Sequence, residues 1–177
     1  MDNENIHGLD ELNAKLEAAI EYFEKDVPVV IGVEAVKHFK QNFENEGFDG
    51  NKWAARKTIR TGSTNGQKIL GKSGELSESI DYKIEGGTIT IYSDKPYAEI
   101  HNEGGIITVT PKMKKQFWAM YFNAKEAGDK ALMEQYKGMA LAKEIKMPKR
   151  QYIGESEQLN ENITNKIVRD LTNILNG

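Results

Sequence analysis

Ile80, Tyr82 and Ile84 alternate with polar residues, Gly86-Gly87 interrupts them, and Ile89 and Ile91 resume the alternation. Apolar side chains at a period of two line one face of a strand, and two glycines free to adopt positive φ make a tight connection. A β-hairpin is therefore expected here, in a chain whose other apolar spacing is mostly helical.

Leu9, Leu12, Leu16, Ile20 and Phe23 fall at three- and four-residue steps, which predicts an amphipathic helix over 9–25. Pro28 disfavours helical geometry at Val27 and is itself acceptable as a first helical residue, so a second helix is expected from Pro28 to about Glu46. Its stripe is Val29, Val33, Val36, Phe39 and Phe43, and Gly47 ends it. Residues 47–67 read as mostly irregular, anchored by Phe48 and Trp53, with a polar, flexible loop over Thr61–Gln67. After the hairpin, Pro96 opens a short helix or turn that ends at Gly104-Gly105, and Ile106–Thr110 reads as a strand closed by Pro111. A pair of helices broken near Gly128 is expected within 111–138, then a strand through Ala140–Met147 up to Pro148. A final helix from about Ser156 carries Leu159, Ile163, Ile167, Leu171 and Ile174.

This order predicts an α+β fold: a small antiparallel or mixed sheet with helices packed mainly on one face. One domain is expected over 1–177, with 111–138 as a helical insertion. Phe39, Phe43, Ile163, Ile167 and Leu171 should cover the hairpin face made by Ile80, Ile84, Ile89 and Ile91.

Charge is unevenly spread. Residues 1–50 hold four Lys and twelve Asp or Glu, a net −8, whereas 104–150 hold ten Lys or Arg and four Asp or Glu, a net +6. Such a chain could stack head-to-tail on its own copies, although both stretches also read as ordinary solvated faces. The absence of cysteine excludes disulfides, thiolate metal sites and a cysteine nucleophile. The opening Met1-Asp2-Asn3-Glu4-Asn5 lacks the basic and apolar regions of a secretory signal. No apolar run approaches the roughly 20 residues that span a bilayer. The expectation is a soluble protein that stays where it is made, without a membrane partner.

Three patterns invite a chemical reading. His101 lies near Asp94, Glu99 and Glu103, as a general base or metal ligand would, but no HExxH string occurs and His7 and His38 are distant. A histidine packed at a turn, its ring bonded to backbone, explains the pattern better. Gly66-Gln67-Lys68-Ile69-Leu70-Gly71-Lys72-Ser73 satisfies the P-loop string on paper. It follows a polar loop rather than a buried strand, and Ile69 and Leu70 would crowd the phosphate cradle, so chance is the better account. Lys112, Lys114 and Lys115 beside Phe117 and Trp118 could touch nucleic acid. An amphipathic helix whose aromatics pack inward or onto a partner accounts for them more simply. No cofactor is called for.

Four separated motifs carry a resemblance. The first is His38-Phe39-Lys40-Gln41-Asn42-Phe43 with Gly47-Phe48 and Trp53. The second is Ile69-Leu70, Ser73-Gly74-Glu75-Leu76 and Ser79-Ile80 ahead of the hairpin. The third is Tyr97-Ala98-Glu99-Ile100-His101-Asn102-Glu103-Gly104-Gly105. The fourth is Met147-Pro148-Lys149-Arg150-Gln151-Tyr152-Ile153-Gly154 before the last helix. In this order, over about residues 30–175, the chain resembles the phage virion-morphogenesis family, the tail-completion proteins of Mu-like phages and prophages. The resemblance implies a non-enzymatic structural protein, made in the bacterial cytoplasm and carried in the virion, that finishes a tail or neck for head joining. Its partners would be tail or neck proteins and its own copies on a template, and the family transfers no catalytic residue. The aromatic, basic insertion departs from the pattern. Lys114, Lys115, Phe117, Trp118, Tyr121 and Phe122 are accordingly the candidate assembly interface. Two other classes stay open: a nucleic-acid-binding module using the basic 104–150 region, and a hydrolase built on His101.

Overall fold

Pro28 does not break the first helix. In the computed structural model, which describes residues 3–55, 68–71 and 73–176 (of residues 3–7 the backbone alone), α1 (Asn3–Glu21) runs through a π-helical turn at Tyr22–Asp26 into α2 (Val27–Asn45). A proline inside an α-helix lacks the N–H for residue i−4 and its ring crowds that carbonyl. A wider turn relieves this: the Val27 N–H reaches back to the Tyr22 carbonyl, five residues away. The polar loop expected over Thr61–Gln67, and Gly66, Gln67 and Lys72 of the P-loop string, lie outside the described residues.

The fold class is α+β, as the sequence predicts. Its strands form three two-stranded antiparallel ladders among the described residues rather than one sheet. These are β1 (Gly47–Phe48) with β2 (Asn51–Lys52), β3 (Ile80–Glu85) with β4 (Thr88–Ser93), and β5 (Gly105–Thr108) with β6 (Glu144–Met147). Short helices α3 (Glu75–Glu78) and α4 (Ala98–Glu103) precede β3 and β5, and α7 (Glu157–Asn176) ends the chain. Contacts divide the chain into two compact units, one of residues 1–41, 78–94 and 154–177, the other of 42–77 and 95–153.

In the first unit the β3–β4 hairpin has the expected form. Ile84 faces Ile89, Tyr82 faces Ile91, and Gly86 and Gly87 at φ 55° and 80° make the connection. The alternation separates its faces: Ile80 is buried, Tyr82, Ile89 and Ile91 are half-buried, and residues 81, 83, 85, 88, 90 and 92 are exposed. Cover thins toward the turn, where Ile84 is exposed. Phe39 is buried and Ile163, Ile167 and Leu171 are half-buried. Ser156 caps α7, its Oγ accepting from the Leu159 N–H at 3.1 Å and lying 3.1 Å from His38 Nε2. The Tyr22 hydroxyl donates to Asp170 Oδ2 at 2.9 Å, which fastens the π turn to α7.

Helix α2 meets the hairpin at Gly32, where a Cβ would stand 2.2 Å from the Tyr82 ring. Glycine to alanine in a helix interior ordinarily stabilises by about 0.5–1 kcal/mol. Forcing the ring aside costs about 1–3 kcal/mol. Gly32→Ala is therefore expected to destabilise by about 1 kcal/mol, whereas Gly138→Ala, with nothing within 4 Å, should stabilise by about 0.5–1 kcal/mol. Urea unfolding of both variants checks this, and a stabilised Gly32→Ala would show that Tyr82 does not rest on α2.

The second unit is organised around Phe43, Trp53 and Tyr152, all buried. The Phe43 ring lies 5.5 Å from Trp53, edge to face, and 4.8 Å from Tyr152. Residues 47–52, read from sequence as irregular, form a hairpin whose Asp49-Gly50 turn has φ 45° and 79°. That dipeptide is a hairpin signal, but strands of two residues show no alternation. Phe43, expected beneath the β3–β4 hairpin, is buried in this aromatic cluster, to which the β1–β2 turn delivers Trp53. Trp53 Nε1 donates to the Gln151 carbonyl at 2.7 Å, and Arg150 Nε and Nη2 both donate to the Ala54 carbonyl at 3.2 Å.

Candidate functional site

The helical pair expected within 111–138 is mounted on the end of a strand ladder. Register runs from Gly105 opposite Met147 to Thr108 opposite Glu144, and the Val109 N–H adds a bond to the Lys143 carbonyl at 2.8 Å. The two strands thus leave side by side into α5 (Pro111–Glu126) and α6 (Lys130–Leu141). Both helix starts are written in the sequence. Thr110 Oγ1 accepts from the Met113 N–H at 3.3 Å ahead of Pro111, and Asp129 Oδ1 accepts from the Leu132 N–H at 3.0 Å. Gly128 at φ 69° reverses the chain between them. Helix α6 runs on to Leu141, so the strand expected from Ala140 begins only at Glu144.

Val109, Ala124, Leu132 and Ala140 are buried at the base and between the helices. The six candidate interface residues divide by exposure. Lys114, Phe117, Trp118 and Tyr121 are half-buried, while Lys115 and Phe122 are exposed, Phe122 at 54%. The rings form a run of edge contacts, Trp118 to Tyr121 at 5.4 Å and Tyr121 to Phe122 at 5.3 Å. A partly packed aromatic series ending in one exposed ring, bordered by lysines, has the composition of a docking surface: aromatic contact area within a cationic border.

His101 sits in α4 of the same unit, but its surroundings differ from the sequence reading. Its ring meets the edge of Tyr97 at 5.9 Å, and Nδ1 is buried without a hydrogen-bond partner among the described residues, where a bond to backbone was expected. Burial, and then the charge of Arg150, hold its pKa below the ordinary imidazole value, so the ring is neutral at neutral pH. Glu103 is occupied by Asn102 at 2.6 Å and Lys149 at 3.3 Å. Among the described residues no group of three or more His, Asp or Glu could hold a metal ion.

The residue of this motif that organises structure is its neighbour. Asn102 Oδ1 accepts from the Tyr152 and Ile153 N–H groups at 2.9 and 3.0 Å, and Nδ2 donates to the Ile153 carbonyl at 3.1 Å. The Arg150 N–H donates to the His101 carbonyl at 2.9 Å, so the third and fourth motifs are bound together along their lengths. Gly104 makes the approach possible, because a Cβ there would stand 2.6 Å from the Lys149 nitrogen and its φ is 72°. Tyr152 closes the arrangement, its hydroxyl donating to the Ala98 carbonyl at 2.9 Å. Burial, and then Tyr97, push the Tyr152 phenol up to about 12. Nothing in the sequence singled out Asn102 except its place beside His101.

The first unit carries an open groove of about 430 Å³ lined by Val36, Lys40, Glu78, Ile80, Tyr92 and Asp94 among others, with Lys40 Nζ 3.4 Å from Glu78. No helix among the described residues is long and apolar enough to cross a membrane.

Comparison with curated proteins and with solved structures finds no match. The profile described as the phage virion morphogenesis family matches residues 7–172, from α1 into α7 and through the whole α5–α6 hairpin. With nearly its full length matched, the chain belongs to the phage virion morphogenesis family.

Proposed function

We propose that this protein is a non-enzymatic virion component that completes a phage tail or neck so that a filled head can be joined to it. On this reading it acts in several copies on an existing template, with the α5–α6 hairpin as its docking element. Family membership carries the general part of the reading, a role in phage assembly. The exposed Phe122 and Lys115, at the end of a half-buried aromatic run, support the choice of surface. Interface cores favour aromatics, and lysines at a rim steer an acidic partner. A chain of 177 residues cannot close a tube many subunits wide by itself, so repetition is part of the proposal.

The test is Phe122→Ser combined with Lys115→Glu in the phage. Both side chains are exposed, so stability should stay within about 0.5 kcal/mol of wild type. Each docking contact should weaken by about 2 kcal/mol, roughly thirtyfold. Electron microscopy of lysates should then show filled heads and tails accumulating apart. A folded double variant that yields joined, infectious particles at the wild-type titre would overturn the docking assignment.

A further inference from the structure

Helix α1 presents the apolar stripe that the sequence predicts, running on to Phe23 in the π turn, and the described residues leave it about half exposed. Leu9, Leu12, Leu16, Ile20 and Phe23 are each between 48% and 59% exposed. Five large apolar side chains along one helix face are a contiguous patch of the kind that marks an interaction site. The steps of three and four suit a partner helix laid along the seam.

Charge selects the partner. Residues 8–26 hold six Asp or Glu against two Lys, a net −4, and both lysines are engaged within the helix, Lys15 with Glu11 at 2.8 Å and Lys25 with Glu21 at 2.7 Å. Two copies of α1 face to face would set −4 against −4. The α5–α6 hairpin offers the complement: residues 111–141 hold six Lys against three Asp or Glu, a net +3, with Phe122 standing exposed among them.

We propose that the α1 stripe of one subunit seats the exposed face of α5 from a second copy of this chain, a head-to-tail contact between unlike surfaces. This rests on reading the hairpin as an assembly surface and names one occupant for it. A contact of this kind leaves each subunit with one α1 and one α5 still open, so it propagates from copy to copy until it closes on itself. Lys112 and Lys115 face Glu17 and Glu24 across the seam, and Phe122 enters the row of leucines.

The chain has no cysteine, so single replacements report one contact cleanly. Leu12→Cys, Leu16→Cys and Ile20→Cys are each co-expressed during infection with a differently tagged Phe122→Cys chain, and the lysate is oxidised. At least one pair is expected to give a disulfide joining the two tags. Glu17→Lys with Glu24→Lys should lower that yield at least about tenfold, and adding Lys112→Glu with Lys115→Glu to the other chain should restore it. Disulfides between two copies carrying the same α1 cysteine, cross-linking of α1 to a different virion protein, or no cross-link at all would each overturn the proposal. An absent cross-link alongside separated heads and tails in the Phe122→Ser, Lys115→Glu phage would leave the docking role standing and reject only this pairing. Melting curves of the α1 variants within about 1–2 °C of wild type verify that they are folded.

Discussion

Tyr152→Ala is expected to lower the unfolding free energy by about 3–5 kcal/mol, a large share of the stability of a domain this size. The ring is 1% exposed and lies against Phe43, so its removal opens a cavity at the centre of the second unit. It also takes the hydroxyl donor away from the Ala98 carbonyl. Tyr152→Phe separates the two effects. It keeps the ring and should cost only about 0.5–1.5 kcal/mol, the net worth of one hydrogen bond. Denaturant unfolding of the pair decides the matter, and equal losses would mean that the hydroxyl rather than the ring holds α4 in place.

The second large effect is expected at Asn102. Replacement by leucine keeps the volume but leaves the Tyr152 and Ile153 N–H groups without their acceptor, at about 1–3 kcal/mol for each group that stays buried. A total loss of about 2–4 kcal/mol should follow. Asn102→Asp should lie between leucine and wild type: a carboxylate still accepts from both N–H groups but sets an oxygen against the Ile153 carbonyl where Nδ2 now donates. Thermal melts of the two variants give the order, and an aspartate as damaging as leucine would show that the donor side of the amide matters most.

Periodicity made much of the secondary structure legible. The alternation around Gly86-Gly87 gave the β3–β4 hairpin, and Pro111 with the break near Gly128 marked the helical pair. It could not say what covers a stripe. Leu9 to Phe23 reads from sequence like any core-facing helix, and only the fold shows those side chains about half exposed. Pro28 misled because steric rules give a proline's preferences, whereas a π turn is one of several ways a long helix satisfies them. The six candidate interface residues fall on α5, but which of their side chains are exposed depends on how α5 rotates against α6. Asn102 and Tyr152 were hidden for a different reason. Their partners lie 50 or more residues away, and a side-chain amide that reads a distant backbone leaves no periodic trace.

The placement of α5 and α6 on the end of the β5–β6 ladder has a consequence for how such proteins diversify. Thr108 and Glu144 are paired neighbours, so the 35 residues between them begin and end one strand spacing apart. Closing a loop between fixed points costs only about 0.6 kcal/mol more for each doubling of its length. The tip is therefore a natural graft point, where a lineage can lengthen, trim or exchange the helical pair by one recombination event while the aromatic cluster at Tyr152 keeps its register. The same junction would accept an engineered epitope or fluorescent label, giving microscopists a handle on each subunit within the particle.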